Sequence, residues 1–125
     1  MTQELITFIP ITKMKKIAFT LFTIGTIGLT SLMAQASIKK ETFKVWGNCE
    51  MCKSTIEAAV SKIDGVRSAR WNMLTLKMNV KYNGDKTTLN FIKKSIANVG
   101  YDTDDYKATQ EKYNKLHHCC KYDRN

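Results

Sequence analysis

Alternating and helix-periodic apolar residues predict a series of short strands and helices after residue 40. Phe43 and Val45 alternate with polar residues over 42–46, which predicts a first strand. Residues 53–63 carry apolar side chains at spacings of three and four, and this pattern predicts an amphipathic helix. Gly65 follows that helix, where glycine suits a left-handed helix end.

The alternation of apolar and polar residues is most regular over 74–82, and it predicts a strand with one buried face. A weaker strand over 66–71 precedes it, and 88–99 has the pattern of a second helix that ends at Gly100. Residues 101–106 are predicted to form a short acidic strand. The order β-α-β-β-α-β predicts an α+β, ferredoxin-like fold, in which a four-stranded antiparallel sheet carries two helices on one face.

The N-terminal part of the chain has the three-part layout of a secretory signal peptide. A basic run, Met14-Lys15-Lys16, precedes an uncharged and largely apolar stretch at 17–32, and Ala34-Gln35-Ala36 fits a signal peptidase site. We therefore expect a signal peptide over 1–36 that is cleaved after Ala36, and a mature protein in the periplasm or outside the cell. Residues 1–13 are consistent with an over-extended gene start. The mature chain would contain a domain at 37–106 and a C-terminal extension at 107–125.

Charge and composition narrow the choice of partners. The formal net charge is +9, but the basic residues are scattered singly, with only short pairs such as Lys39-Lys40 and Lys93-Lys94, which favours a solvated surface over a nucleic-acid site. RNA-binding domains with this order of elements read bases through aromatic residues on their central strands, and 74–82 has no such run. We expect no nucleic-acid partner and, after cleavage, no membrane insertion. The acidic residues at 102, 104 and 105 are interpreted as a solvated edge.

Cys49 and Cys52 form a C-x-x-C motif in the loop between the first strand and the first helix. A thiol at a helix N-terminus lies near the positive end of the helix dipole, which favours the thiolate. Two converging thiolates suit Cu(I) or Hg(II), and they suit Zn(II) less well because zinc prefers four ligands. We therefore expect Cys49 and Cys52 to bind a metal ion, with Cu(I) as the leading candidate. Export to an oxidising space leaves a simple disulfide as the alternative.

A second group of metal-binding residue types occurs in the C-terminal extension, at His117, His118, Cys119 and Cys120. These residues are candidates for an auxiliary metal role, and a disulfide or an unrelated tail is the alternative. If the extension folds back to the first loop, one ion would have three or four ligands. Such a site would weaken the preference for Cu(I) over Zn(II).

Residues 41–106 resemble the heavy-metal-associated domain family of copper chaperones and of the N-terminal arms of copper-transporting ATPases. Besides the C-x-x-C motif, the matching runs are Lys53-Ser54-Thr55-Ile56-Glu57, Ile63-Asp64-Gly65-Val66, Val80-x-Tyr82 and Gly100-Tyr101. The resemblance implies that Cys49 and Cys52 bind metal and that Tyr101 lies beside them. A signal peptide followed by one such domain is also the layout of periplasmic mercury-binding proteins. The family usually has Gly-Met-x-Cys before the pair, whereas Gly47 takes the Met position here.

The sequence thus favours an exported Cu(I) chaperone or scavenger that is not an enzyme and transfers its ion by thiolate exchange. The expected partner is a metal-transporting membrane protein or another copper protein, and the expected state is a monomer or a metal-bridged dimer. The residues expected near the site are Gly47, Asn48, Met51, Lys53 and Tyr101. The alternatives are a periplasmic Hg(II)-binding protein and a thiol-disulfide oxidoreductase. The last is disfavoured because the thioredoxin fold needs a cis-proline, and the only proline is Pro10.

Overall fold

The computed structural model describes residues 35–124, so the predicted signal peptide lies almost entirely outside the described residues. Among residues 35–124, no helix is long and apolar enough to cross a membrane. The strands are β1 (Ile38–Lys44), β2 (Val66–Asn72) and β3 (Lys77–Asn83). The helices are α1 (Glu50–Ser61), α2 (Leu89–Asn98) and the short α3 (Gln110–Asn114), followed by a 3-10 turn at His118–Cys120.

The three strands form an antiparallel sheet in the order β1-β3-β2. Met78 in the central strand is directly opposite Phe43 on one side and Trp71 on the other, so the three side chains share one face. That face packs into a single hydrophobic core with residues of both long helices. The fully buried helical members of this core are Cys52, Ile56, Val60, Ile92 and Ile96. The predicted α+β fold, with an antiparallel sheet and two helices, is therefore confirmed.

Side-chain caps and glycines define the ends of the two long helices. Helix α1 begins three residues earlier than predicted because Cys49 caps it. Thr88 caps α2 by accepting a hydrogen bond from the N–H of Phe91. Gly65 and Gly100 follow the helices with φ values of +93° and +103°, in the left-handed region that favours glycine. The glycine assignments made from the sequence are thus confirmed.

The predicted fourth strand at 101–106 is not confirmed, and the sheet has three strands within the described residues. The segment contributes one isolated bridge, in which Thr103 pairs with Val45. Beyond this bridge the Thr103 N–H donates to the carbonyl of Tyr106, and the Tyr106 N–H donates to the Thr103 hydroxyl. These two bonds close a turn, which prevents the segment from continuing along the edge of the sheet.

The predicted strand at 74–82 begins later than its alternation suggested, at Lys77. The side chain of Asn72 accepts hydrogen bonds from the N–H groups of Leu74 and Thr75 and thereby forms a turn. Leu76 then adopts a positive φ of 57°, and the side chain of Leu74 is 88% exposed. The apolar residues at 74 and 76 therefore continue the alternation in the sequence without belonging to the strand.

The C-terminal extension packs against the same core as the domain. Cys120 and Tyr122 belong to the hydrophobic cluster, and Ala108 is also buried. The extension forms the short helix α3, which Thr109 caps by accepting a hydrogen bond from the N–H of Lys112. The packing of the extension brings its cysteines to the loop between β1 and α1.

Candidate metal centre

The loop after β1 positions the C-x-x-C motif at the first turn of α1. Cys49 is the N-cap, with extended backbone angles of φ −147° and ψ 167°. Its Sγ accepts a hydrogen bond from the Cys52 N–H at 3.3 Å. A sulfur atom in this position lies among the free N–H groups of the helix end, where negative charge is favoured. The local fold therefore favours a thiolate at residue 49.

The two sulfur atoms of the motif converge. Cys49 Sγ lies 2.9 Å from Cys52 Sγ, and both residues are free thiols. Cys52 is buried, whereas Cys49 is only partly buried. The predicted pair is thus brought together at one point with one side open to solvent, which is an arrangement that a soft metal ion can enter.

The C-terminal extension places a third sulfur beside the pair. Cys120 Sγ lies 3.4 Å from Cys49 Sγ, and the Cys120 carbonyl oxygen lies 3.9 Å from Cys52 Sγ. The Sγ atom of the exposed Cys119 lies 3.9 Å from that of Cys120. The sulfurs of Cys49, Cys119 and Cys120 all lie within 4.8 Å of one another. Of the four residues in the C-terminal cluster, the two cysteines therefore reach the motif.

The thiols of this group differ in their tendency to ionise. Burial raises the pKa of Cys49, but hydrogen bonds from the Cys52 thiol, the Cys52 N–H and the thiols of Cys120 and Cys119 outweigh it, and the pKa is lowered to about 7. Burial and the hydrogen bond to Cys49 raise the pKa of Cys120 to about 12. Of these two residues, Cys49 therefore ionises more readily and is the more reactive, whereas Cys120 remains a thiol at neutral pH.

Tyr101 and Asn48 contact the cysteines, in the neighbourhood expected from the sequence. Tyr101 is buried, and burial together with hydrogen bonds to the thiols of Cys120 and Cys52 raises its pKa. The Asn48 Oδ1 accepts a hydrogen bond from Cys52 Sγ at 3.4 Å. Its Nδ2 donates to the carbonyl of Lys121 at 3.0 Å. Asn48 therefore links the C-x-x-C loop to the C-terminal extension.

Trp71 explains why glycine occupies position 47. An ideal Cβ at Gly47 would lie 3.0 Å from Trp71 Cη2 and 3.3 Å from Cys52 Cβ. The indole is buried, and its Nε1 donates to the Val45 carbonyl at 3.1 Å. The indole thus fills the space beneath the loop, where the family resemblance implied a methionine. This role of Trp71 was missed at the sequence level because no local pattern marks it.

The other candidate residues lie at the edge of the site or away from it. Met51 is exposed, in keeping with a side chain that points away from converging cysteines, and Lys53 is half-buried in the first turn of α1. His117 is exposed, and its Nδ1 lies 3.2 Å from Cys119 Sγ. The ring of His118 packs against that of His117, with centroids 4.3 Å apart. The structure thus brings one histidine near the sulfurs, at their solvent side.

Three residues that hold the extension in place were not identified from the sequence. The Tyr122 hydroxyl accepts from the Asp102 N–H at 2.8 Å and donates to the Gly100 carbonyl at 3.0 Å. Arg124 pairs with the Asp102 carboxylate through two hydrogen bonds of 2.8 and 2.9 Å. The interpretation of Asp102 as part of a solvated edge is wrong, because this arginine and the extension bury it. The only sequence signal was the pattern Tyr122-x-Arg124 directly after the cysteines.

Comparisons with known proteins agree with the fold and with the motif. The Heavy-metal-associated domain profile matches residues 42–102. The Copper chaperone CopZ of Staphylococcus epidermidis is 37% identical over 70 residues, which cover 56% of this chain and 97% of that protein. The N-terminal domain of a potential copper-translocating P-type ATPase from Bacillus subtilis, solved in the Cu(I)-loaded state, is 28% identical with a TM-score of 0.51, and the match covers 53% of this chain and 84% of that one.

A further solved structure is that of oxidized MerP from Ralstonia metallidurans CH34. It is 28% identical with a TM-score of 0.51, and the match covers 54% of this chain and 94% of that one. The curated relative is matched over nearly its whole length at a substantial identity, and the matched residues include the C-x-x-C motif. The chain therefore belongs to the heavy-metal-associated domain family.

Proposed function

We propose that this protein is an exported metallochaperone or scavenger that binds Cu(I) through Cys49 and Cys52. The observation that carries the proposal is the convergence of the two sulfurs, 2.9 Å apart, at a helix N-terminus. A soft donor pair suits a soft monovalent ion, and the open side at Cys49 allows a partner to approach. The similarity to a copper chaperone and to a Cu(I)-loaded ATPase domain supports copper as the ion.

Transfer of the ion proceeds by thiolate exchange. A partner thiolate forms a bond to Cu(I) as one of the bonds from Cys49 or Cys52 breaks, and the copper remains Cu(I) throughout. The partly exposed Cys49 is the first position that a partner thiolate can reach, because Cys52 is buried. The proposed recipient is a metal-transporting membrane protein or another copper protein, in line with the likeness to an ATPase domain.

Anaerobic titration of the reduced protein with Cu(I), in competition with a chromophoric Cu(I) chelator, tests the proposal. We expect one equivalent of tightly bound copper, and its loss in the Cys49→Ser, Cys52→Ser double variant. Ser54→Ala, at an exposed position of α1, is the matched control and should bind as the wild type does. Full copper affinity in the double variant would refute the assignment.

Mercury is the second candidate ion, since the MerP structure resembles this domain and Hg(II) also accepts two thiolates. Deletion of the gene distinguishes the two ions. The copper proposal predicts that the deletion strain becomes more sensitive to copper salts. Increased sensitivity to mercury alone would favour Hg(II) over Cu(I) as the ion. Export is tested by the mass of the protein recovered from the extracytoplasmic fraction. The proposal predicts a mature chain that starts at Ser37, and an uncleaved chain confined to the cytoplasm would contradict it.

A further inference from the structure

The C-terminal strap, residues 117–124, is fixed against the domain by the residues that follow Cys120. On the C-terminal side, the buried Tyr122 bonds to the backbone at 100 and 102, and Arg124 pairs with the buried Asp102. Next to Cys120, the carbonyl of Lys121 accepts a hydrogen bond from the side chain of Asn48. These hydrogen bonds fix the backbone that follows Cys120 and thereby define the position of its side chain.

These anchors hold Cys120 beside the C-x-x-C loop. Its side chain is 2% exposed, and its sulfur lies 3.4 Å from that of Cys49. The sulfur of Cys52 lies 2.9 Å from that of Cys49. The three thiols are free, and they share no disulfide. Two further soft donors of the same chemical type thus lie beside the sulfur of Cys49.

We propose that Cys120 is a third thiolate ligand, so that this protein holds Cu(I) in a three-sulfur centre together with Cys49 and Cys52. This inference rests on the proposed function of the C-x-x-C pair and adds a ligand from outside the matched domain. The family match ends at residue 102, before the strap begins. The third ligand is therefore a feature that this chain adds to the two-cysteine motif.

The sulfur separations fit this role. Thiolate sulfurs bonded to one ion at about 2.3 Å lie about 3.8–4.0 Å apart in tetrahedral or trigonal arrangements. The separations from Cys49 Sγ, 2.9 Å to Cys52 and 3.4 Å to Cys120, are shorter than those values, so outward side-chain rotations would bring them into this range. Each thiol that becomes a ligand gives up its proton to solvent, and the copper ion is neither oxidised nor reduced. A third bond from a rigidly held group increases retention, because little ordering is needed on binding.

Cys119, which is adjacent to Cys120 but exposed, is the competing candidate for the third ligand, because its sulfur also lies within 4.8 Å of that of Cys49. Its sulfur lies 3.9 Å from that of Cys120, on the solvent side of the cluster. We expect Cys119→Ser to change the Cu(I) affinity less than threefold. We expect Cys120→Ser to lower the affinity at least tenfold while leaving one equivalent of copper bound by Cys49 and Cys52.

X-ray absorption at the copper edge, measured on the full chain loaded with one equivalent of Cu(I), counts the sulfur ligands directly. We expect about three sulfurs in the wild type and in Cys119→Ser, and two in Cys120→Ser. Two sulfurs in the wild type would overturn the inference whether or not the variants fold, and so would equal losses of affinity in the two serine variants. Failure of the proposed function looks different: the wild type would bind no Cu(I), or the Cys49→Ser, Cys52→Ser variant would bind it fully.

Discussion

A single methyl group at position 47 is expected to disturb the packing beneath the metal-binding loop. In Gly47→Ala, the new Cβ would lie 3.0 and 3.1 Å from two carbons of the Trp71 ring and 3.3 Å from Cys52 Cβ. Carbon atoms in good contact are about 3.5–4.0 Å apart, so all three contacts are repulsive. The indole cannot move aside freely, because it is 2% exposed and its Nε1 is hydrogen-bonded to the Val45 carbonyl.

Two opposing effects determine the change in the free energy of unfolding. Overpacking of a well-filled core costs about 1–3 kcal/mol. Replacement of glycine by alanine restricts the unfolded chain and stabilises the folded state by about 0.4–1 kcal/mol. Because Gly47 lies beneath the fixed indole, we expect the overpacking to dominate and the free energy of unfolding of Gly47→Ala to fall by about 1–2 kcal/mol.

Gly84→Ala is the control for the effect of the substitution itself. Its Cβ would meet Lys39 Cε at 2.8 Å, but this atom is the far end of an exposed, flexible side chain that can move away. We therefore expect Gly84→Ala to lie within about 0.5 kcal/mol of the wild type in urea denaturation. Equal stabilities of the two alanine variants would refute the reasoning. A Trp71→Phe background should relieve part of the clash, with a coupling of roughly 1 kcal/mol in a double-mutant cycle.

Three further changes test the anchors of the extension and the charge balance of the domain. Tyr122→Phe leaves the buried Asp102 N–H and Gly100 carbonyl without their hydroxyl partner. The free energy of unfolding, measured by urea denaturation, should therefore fall by about 2 kcal/mol. A loss below about 0.5 kcal/mol would contradict this expectation. Arg124→Leu leaves the Asp102 carboxylate buried without its cation, which should cost about 3 kcal/mol; a fully stable variant would show that the pair is not needed. Burial lowers the pKa of Lys93, but hydrogen bonds to two neighbouring aspartates raise it more. Its ion pairs should therefore stabilise the protein at neutral pH and lose their effect only above about pH 10.4. Because Lys93→Met lacks these ion pairs, its urea midpoint should fall less between pH 8 and 11 than that of the wild type.

Local sequence patterns predicted the elements that local forces determine. The stripe containing Ile56 and Val60 predicted α1, and Gly65 predicted its end, because helix amphipathicity and the left-handed helix end are properties of neighbouring residues. The same reasoning failed at Leu74, whose side chain extends the alternation of β3 but lies in a turn that Asn72 closes. It also failed at 101–106, where the hydrogen bonds of Thr103 to Tyr106 form a turn in place of a strand.

In the candidate site too, the contact between neighbouring residues could be predicted from the sequence and the long-range contact could not. Cys49 and Cys52 are three residues apart, so their convergence follows from the geometry of one helix turn and could be predicted. The approach of Cys120 depends on a contact across 71 residues, and the anchors that produce it include an ion pair between Asp102 and Arg124. No local pattern in the sequence specifies such a contact, so the sequence allowed a shared site without establishing it.

The same hydrogen bonds that stabilise the extension also connect it to the metal-binding loop. The Asp102 carbonyl accepts from the Trp46 N–H directly before the loop, while its carboxylate holds Arg124. On the other side of the cysteines, Asn48 binds the Lys121 carbonyl. The strap is therefore bonded to the loop directly through Asn48 and indirectly through Asp102, which binds both Trp46 and Arg124. Since local opening of a structure costs the free energy of the contacts that it breaks, we expect a partner to displace the strap before it reaches the buried Cys52. Release of the ion should then follow opening of the strap, and variants that weaken the Arg124 pair should release copper faster to an added thiol while binding the same number of ions.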